Sequence, residues 1–150
     1  MRRICIAITF AVLAATLAGG ERPAGGQAIS RPAYLVVVHP DTRIASVSRE
    51  FLADVFLKKR TRWPGDVVIR PVDLHPRSEV RQRFSASVLR RPVAAVRSYW
   101  RQIIYSGRGV PPPELRSDDD VVAYVRRHQG AIGYVSPTAD LIGVRVVAVR

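Results

Sequence analysis

The chain has 150 residues, with 24 Lys or Arg against 12 Asp or Glu, a formal charge of +12 and a single cysteine, Cys5. One cysteine excludes an internal disulfide framework and a thiolate metal site. The basic residues are spread along the sequence, with no aromatic-rich RNA-binding motif and no zinc-finger spacing, which argues against nucleic-acid binding. Only Lys58 and Lys59 are lysines, so the arginine excess fits compositional drift as well as selection for an anionic ligand.

At the N-terminus Arg2 and Arg3 precede an apolar and small-residue run that closes on Thr16, Ala18, Gly19 and Gly20. That order matches a secretory signal, expected to occupy residues 1–18 with cleavage near Ala18 and Ala28 as a later option. The run is short for a membrane anchor, which needs roughly 20 apolar residues. No stable membrane span is expected after cleavage, and the mature chain is expected to be periplasmic or secreted. Losing Arg2 and Arg3 lowers the charge by two, to +10, and an exported basic protein meets phosphate, anionic lipid heads or acidic polymers before nucleic acid. Residues 19–33, rich in Gly, Pro and Ala, read as a flexible leader. The remainder, 34–150, is one domain's worth of chain, and no second domain is expected.

"YLVVV", Tyr34 to Val38, is a continuous apolar β-branched run of the kind buried in a parallel sheet. "HPDTRIASVS" follows as a loop, and Ser48 is a helix N-cap with Glu50 in the first turn. Phe51, Leu52, Val55 and Phe56 recur at helical spacing. After the basic turn Lys58 to Arg62, "VVIRPVD", Val67 to Asp73, reads as the second strand. Pro76 breaks it, and Val80, Phe84 and Val88, four apart, carry a helix to about Leu89. Pro92 starts another helix with Val93, Val96, Trp100, Ile103 and Ile104 on its apolar face, stopped by Gly107. Ser117 with Asp120 resembles a capping box, opening a helix that carries Val121, Val122 and Val125 and ends before Gly130. "AIGYV" and "VRVVAV" are two further strands. The expected fold is therefore α/β, with about four strands in a mixed sheet flanked by about four helices.

Three segments in order, "SREFLADVFLKKRTRWPGDVVIRPVD", the "YW" of Tyr99 and Trp100 with "YSGRGVPPPEL", and "GAIGYV" from Gly130 to Val135, resemble the phosphate-type periplasmic substrate-binding proteins of ABC transporters, a type 2 binding-protein fold, and specifically small single-lobe members. The resemblance covers Tyr34 to about Pro137. Full members have two lobes that close on the anion; this chain supplies one. The family's anion motif reads Arg-x-Asp-Gly-Ser-Gly-Thr with Phe four residues beyond. Anchored on Phe84, it places Ser78 on the motif's Ser, but Leu74 at Arg, Pro76 at Asp and Glu79 at the second Gly. The resemblance implies phosphate or a similar oxyanion as a weakly held ligand, and an ABC permease or an envelope sensor as a protein partner.

The residues themselves support an anion site at a strand-to-helix junction, where free N–H groups collect. The candidates are Ser78, Arg77, Arg81, Glu79 as a competing carboxylate in the first turn, and Asp73 at a strand's C-terminal end, where α/β proteins place ligand groups. Each has a structural alternative: Ser78 as an N-cap, Arg77 and Arg81 as solvated side chains, Asp73 as a cap or paired to a neighbouring Arg. Gly107, Arg108 and Gly109 form either an anion-cradling turn or a helix stop. His39, His75 and His128 share no metal-ligand spacing, and Asp118 to Asp120 are consecutive, so they splay around a helix start. No metal, cofactor or catalytic constellation emerges, and no enzyme is expected. The competing reading is an envelope interaction or sensory module that keeps the fold without the ligand.

Overall fold

A valine run sets the middle of the sheet, but between antiparallel neighbours and not the parallel ones its unbroken apolar pattern suggests, because both of its faces are covered here too. Leu35–Val38 forms β1, paired antiparallel on one side with β6, Ala131–Val135, in the register Leu35 with Val135 to Val38 with Ile132, and on the other with β7, Arg145–Val149. These elements come from a computed structural model that describes residues 32–150. The expected signal segment and the leader up to residue 31 lie outside that range. β2, Ser46–Val47, runs parallel to β7, and β3, Arg70–Pro71, runs parallel to β6, giving a mixed five-stranded sheet in the order β2-β7-β1-β6-β3.

The strand expected over Val67 to Asp73 is divided. Val72 still donates its N–H to Ile132 in the main sheet, but Asp73 donates to Pro113, and β4, Asp73–Leu74, pairs in parallel with β5, Glu114–Leu115. Pro71, with no N–H to give, sits where the chain changes partner. The loop expected over His39 to Ser48 likewise contains β2, a two-residue pairing too short to leave an alternation pattern.

The four helices lie close to where their caps and apolar spacing place them. α1 is Arg49–Phe56 and α2 is Glu79–Phe84, continued by a π-helical turn over Ser85–Leu89; α3 is Val93–Tyr105 and α4 is Asp118–Arg127. Ser48, Ser78 and Ser117 each accept a backbone N–H three residues on, at 3.1, 3.4 and 3.1 Å. Arg90, left-handed at φ 52°, ends the π turn.

Every residue of β6 is buried, because the strand is covered on both faces. A Cβ on Gly133 would lie 2.7 Å from Val121 Cγ1 of α4, so glycine is what lets that helix approach the sheet. Tyr134, its neighbour in the strand, points to the opposite face. There its ring stacks on Phe84 with centroids 3.8 Å apart, and Phe56 and Tyr34 complete the cluster. Trp63 and Trp100, expected in the core, are both buried, and Trp63 donates its indole N–H to Gly130 O at 3.0 Å.

Candidate functional site

The junction between β4 and α2 begins at Asp73, buried where the strand leaves the sheet. Arg81, on the first turn of α2, turns inward and is also buried. Its Nη1 lies 2.5 Å from Asp73 Oδ1 and donates to Leu74 O at 2.9 Å, and its Nη2 is 3.6 Å from Glu114 Oε1. Tyr134 donates its hydroxyl to the same Asp73 oxygen. One guanidinium thus ties together β4, β5 and α2, and Tyr134 adds β6.

The electrostatics follow from burial. Desolvation raises the Asp73 carboxyl to about 6, although Arg81 and the Tyr134 hydroxyl both favour its ionised form. Burial, followed by the nearby Asp73 charge, pushes the Tyr134 phenol well above its ordinary value, so it stays neutral and serves as a donor. Arg81 Nε is buried without a partner among the described residues, a cost of the arrangement.

Arg81 is therefore not a solvated first-turn cation. Buried positions Arg81, Phe84, Ser85 and Val88 define the inward face of the helix, whereas Val80 is only half-buried. The apolar spacing Val80, Phe84, Val88 sets that face one residue off, which hides Arg81. Asp73 pairs with an Arg, one of its expected structural alternatives. Glu114 and Tyr134 are the partners that sequence reasoning missed. The helical period through 81, 84, 85 and 88 carried a signal for Arg81, but nothing local marked Glu114.

The other candidates sit at the solvent end of the junction. His75 Nδ1 accepts the Arg77 N–H at 3.2 Å, and the Ser78 N–H reaches His75 O at 2.9 Å, forming a tight turn. The Ser78 hydroxyl oxygen accepts from Arg81 N and caps α2. Among the described residues the N–H groups of Glu79 and Val80 have no protein acceptor, and Arg77 is exposed beside them with no carboxylate partner. The Glu79 carboxylate is drawn along the helix to Arg83, one turn on. The structure thus separates the five candidates into a buried pair, Asp73 and Arg81, and a group toward solvent, with Arg77 and Glu79 exposed and Ser78 half-buried. Gly107 and Gly109 both have positive φ, and Arg108 between them bonds Ser106 Oγ. His39, His75 and His128 take local contacts: His39 and His75 accept N–H groups from Asp41 and Arg77, and His128 stacks on Tyr124. Among the described residues there is no group of three or more His, Cys, Asp or Glu able to hold a metal ion, and no helix long and apolar enough to cross a membrane.

Comparison with known proteins adds the fold's relatives. No family model matches the sequence, and no curated protein matches it. Solved structures do. An ABC-type phosphate transport receptor from Vibrio cholerae superposes with a TM-score of 0.61 at 17% identity, over 77% of this chain and 45% of that one. The chain has the fold of one lobe of such receptors. A protein from Clostridium perfringens, described as a phosphate ABC transporter substrate-binding protein and solved with phosphate bound, gives 0.60 at 19% identity, over 77% of this chain and 44% of that one. PstS from Borrelia burgdorferi gives 0.54 at 14%, over 78% of this chain and 47% of that one. The chain thus spans under half the length of these three structures, the first two of which are described as phosphate transport proteins.

Proposed function

We propose that this chain is an exported, non-enzymatic binding module that contacts phosphate or a similar small oxyanion at the His75–Val80 turn and works beside an ABC permease or an envelope sensor. The observation that carries the reading is the turn itself. Two unpaired N–H groups, the Ser78 hydroxyl and the exposed Arg77 guanidinium gather at the start of α2, in a fold shared with phosphate receptors. Backbone donors at a helix start favour an anion, and a guanidinium adds charge-assisted bonds to its oxygens. The affinity is low because the turn lies open to water, where the interaction is screened beyond about 10 Å at 0.1 M salt.

Calorimetry on the mature protein tests this. Phosphate is expected to bind at millimolar concentration, more weakly in Arg77→Ala and more weakly still as salt rises. No heat with phosphate, sulfate or arsenate at millimolar concentration rejects it. One observation favours the second reading, a ligand-free envelope interaction module: Arg81, the strongest cation of the junction by position, is consumed by Asp73, Glu114 and Leu74 O.

A further inference from the structure

From Val80 to Pro113 the sequence contains seven arginines and no Asp or Glu. Two of the seven are neutralised inside the fold or along its own helix, Arg81 by Asp73 and Arg83 by Glu79. Arg97, Arg101 and Arg108 have no carboxylate within ion-pair distance among the described residues. α3 buries Val96 and Trp100 against the core, and on its outer side Arg97, Arg101 and Tyr105 follow at intervals of four. The helix ends in an apolar tip: Tyr105 is 91% exposed, Val110 64% and Ile104 51%. Tyr99, on another side of α3, donates to Leu57 O and ties the helix to the end of α1.

The tip stands on a fixed base. Pro111, Pro112 and Pro113 stiffen the segment that leads into β5, β5 pairs with β4, and Glu114 reaches Arg81. A projecting apolar ring held at the end of a helix loses little conformational freedom when it is covered. Cations alone suit an acidic soluble partner, and apolar side chains alone suit a hydrophobic groove. An exposed apolar tip with arginines on the helix before it and the loop after it suits an interface that is both soft and anionic, where aromatic and aliphatic side chains enter the headgroup layer and arginines meet phosphates.

We infer that the end of α3 docks on a bilayer surface carrying anionic headgroups, with Ile104, Tyr105 and Val110 entering the interfacial layer and Arg97, Arg101 and Arg108 binding headgroup phosphates. This surface shares no residue with the His75–Val80 turn, so its failure and that of the oxyanion reading are separate results.

The test is cosedimentation of residues 32–150 with vesicles of phosphatidylglycerol and phosphatidylcholine in equal parts, against phosphatidylcholine alone. Binding is expected only to the anionic vesicles, and each arginine removed from the stripe should weaken it about fivefold. Arg97→Gln, Arg101→Gln and Arg108→Gln together should therefore reduce it far more than Arg70→Gln, Arg127→Gln and Arg145→Gln together, which remove the same charge elsewhere. Tyr105→Trp should add blue-shifted emission when those vesicles are present. The inference is overturned if anionic vesicles do not bind, if the two triple variants lose equally, or if the added emission stays unshifted in the bound protein. It is also overturned if the stripe binds polyglutamate but no vesicles, or if light scattering shows a dimer that Tyr105→Ser dissolves. Circular dichroism of each variant confirms that lost binding is not lost fold.

Discussion

The two faces of β6 are covered in different ways. On the α4 face, hydrocarbon meets hydrocarbon: Val121 and Val125 lie over Gly133, with Val72 beside it. On the α2 face the aromatic cluster of Tyr134, Phe84 and Phe56 ends in charge, with Asp73 and Arg81 buried side by side. The first face is set by volume, the second by pairing. A carboxylate at the end of a strand and an arginine at the start of a helix are the ingredients of an anion site, and here they close on each other. The difference teaches that residue type at such a junction does not assign a role until burial is known.

The largest effect is expected from breaking the charged face. Arg81→Met leaves Asp73 buried and unpaired, and should cost about 3–5 kcal/mol near neutral pH, read by urea denaturation. Asp73→Leu combined with Arg81→Met should cost less than the sum of the two single changes, because no lone charge remains.

The pH dependence has a definite sign. The folded Asp73 carboxyl titrates at about 6, and an unfolded Asp near about 4. Between these values the folded protein holds a proton that the unfolded chain has released. Asp73 therefore adds stability as pH falls through about 6, and that contribution is lost as pH rises. The melting temperature of the wild type relative to Asp73→Asn should accordingly rise from about pH 7 to about pH 5, and the penalty of Arg81→Met should shrink over the same range. A flat difference would contradict the burial of Asp73.

On the hydrocarbon face the expected cost is smaller and independent of pH. Gly133→Ala forces a Cβ to within 2.7 Å of Val121 Cγ1 and 3.0 Å of Val72 Cγ1, which should cost about 1–3 kcal/mol. Smaller still are the caps. Ser117→Ala should lose about 1 kcal/mol, and Ser78→Ala less, since its capping bond is 3.4 Å rather than 3.1 Å. An equal or larger loss at Ser78 would mean that its hydroxyl does more at this junction than cap a helix. The least change is expected at Glu79: Glu79→Gln removes a first-turn carboxylate and should tighten phosphate binding by about two- to fivefold, read by calorimetry.

The hydrocarbon face was legible in the sequence and the charged face was not. β1, β6, β7 and the four helices announce themselves through unbroken valine runs, helical spacing and capping serines, all local signals. The division of Val67 to Asp73 between two sheets depends on β5, two residues in a proline-rich loop about forty positions away, for which no local pattern exists. The π turn after Phe84 is equally unmarked. Arg81 was hidden for a different reason: the helical period placed it on the inward face with Phe84 and Val88, but an arginine on a helix start is ordinarily solvated, and its pairing is seen only once Asp73, Glu114 and Tyr134 are brought around it. At the exposed turn the sequence identified Arg77 and Ser78 as candidates, while the diversion of Glu79 to Arg83 required the structure.

The central claim is that the His75–Val80 turn meets an oxyanion, and its most direct test is a titration of the isotope-labelled mature protein with phosphate, followed by amide NMR. The amides of Glu79 and Val80 should shift progressively and saturate at millimolar phosphate, with the shifts reduced in Arg77→Ala and those of β1 and β7 unchanged. Amides of Glu79 and Val80 that stay still while phosphate is raised, or shifts that persist undiminished in Arg77→Ala, would contradict the account.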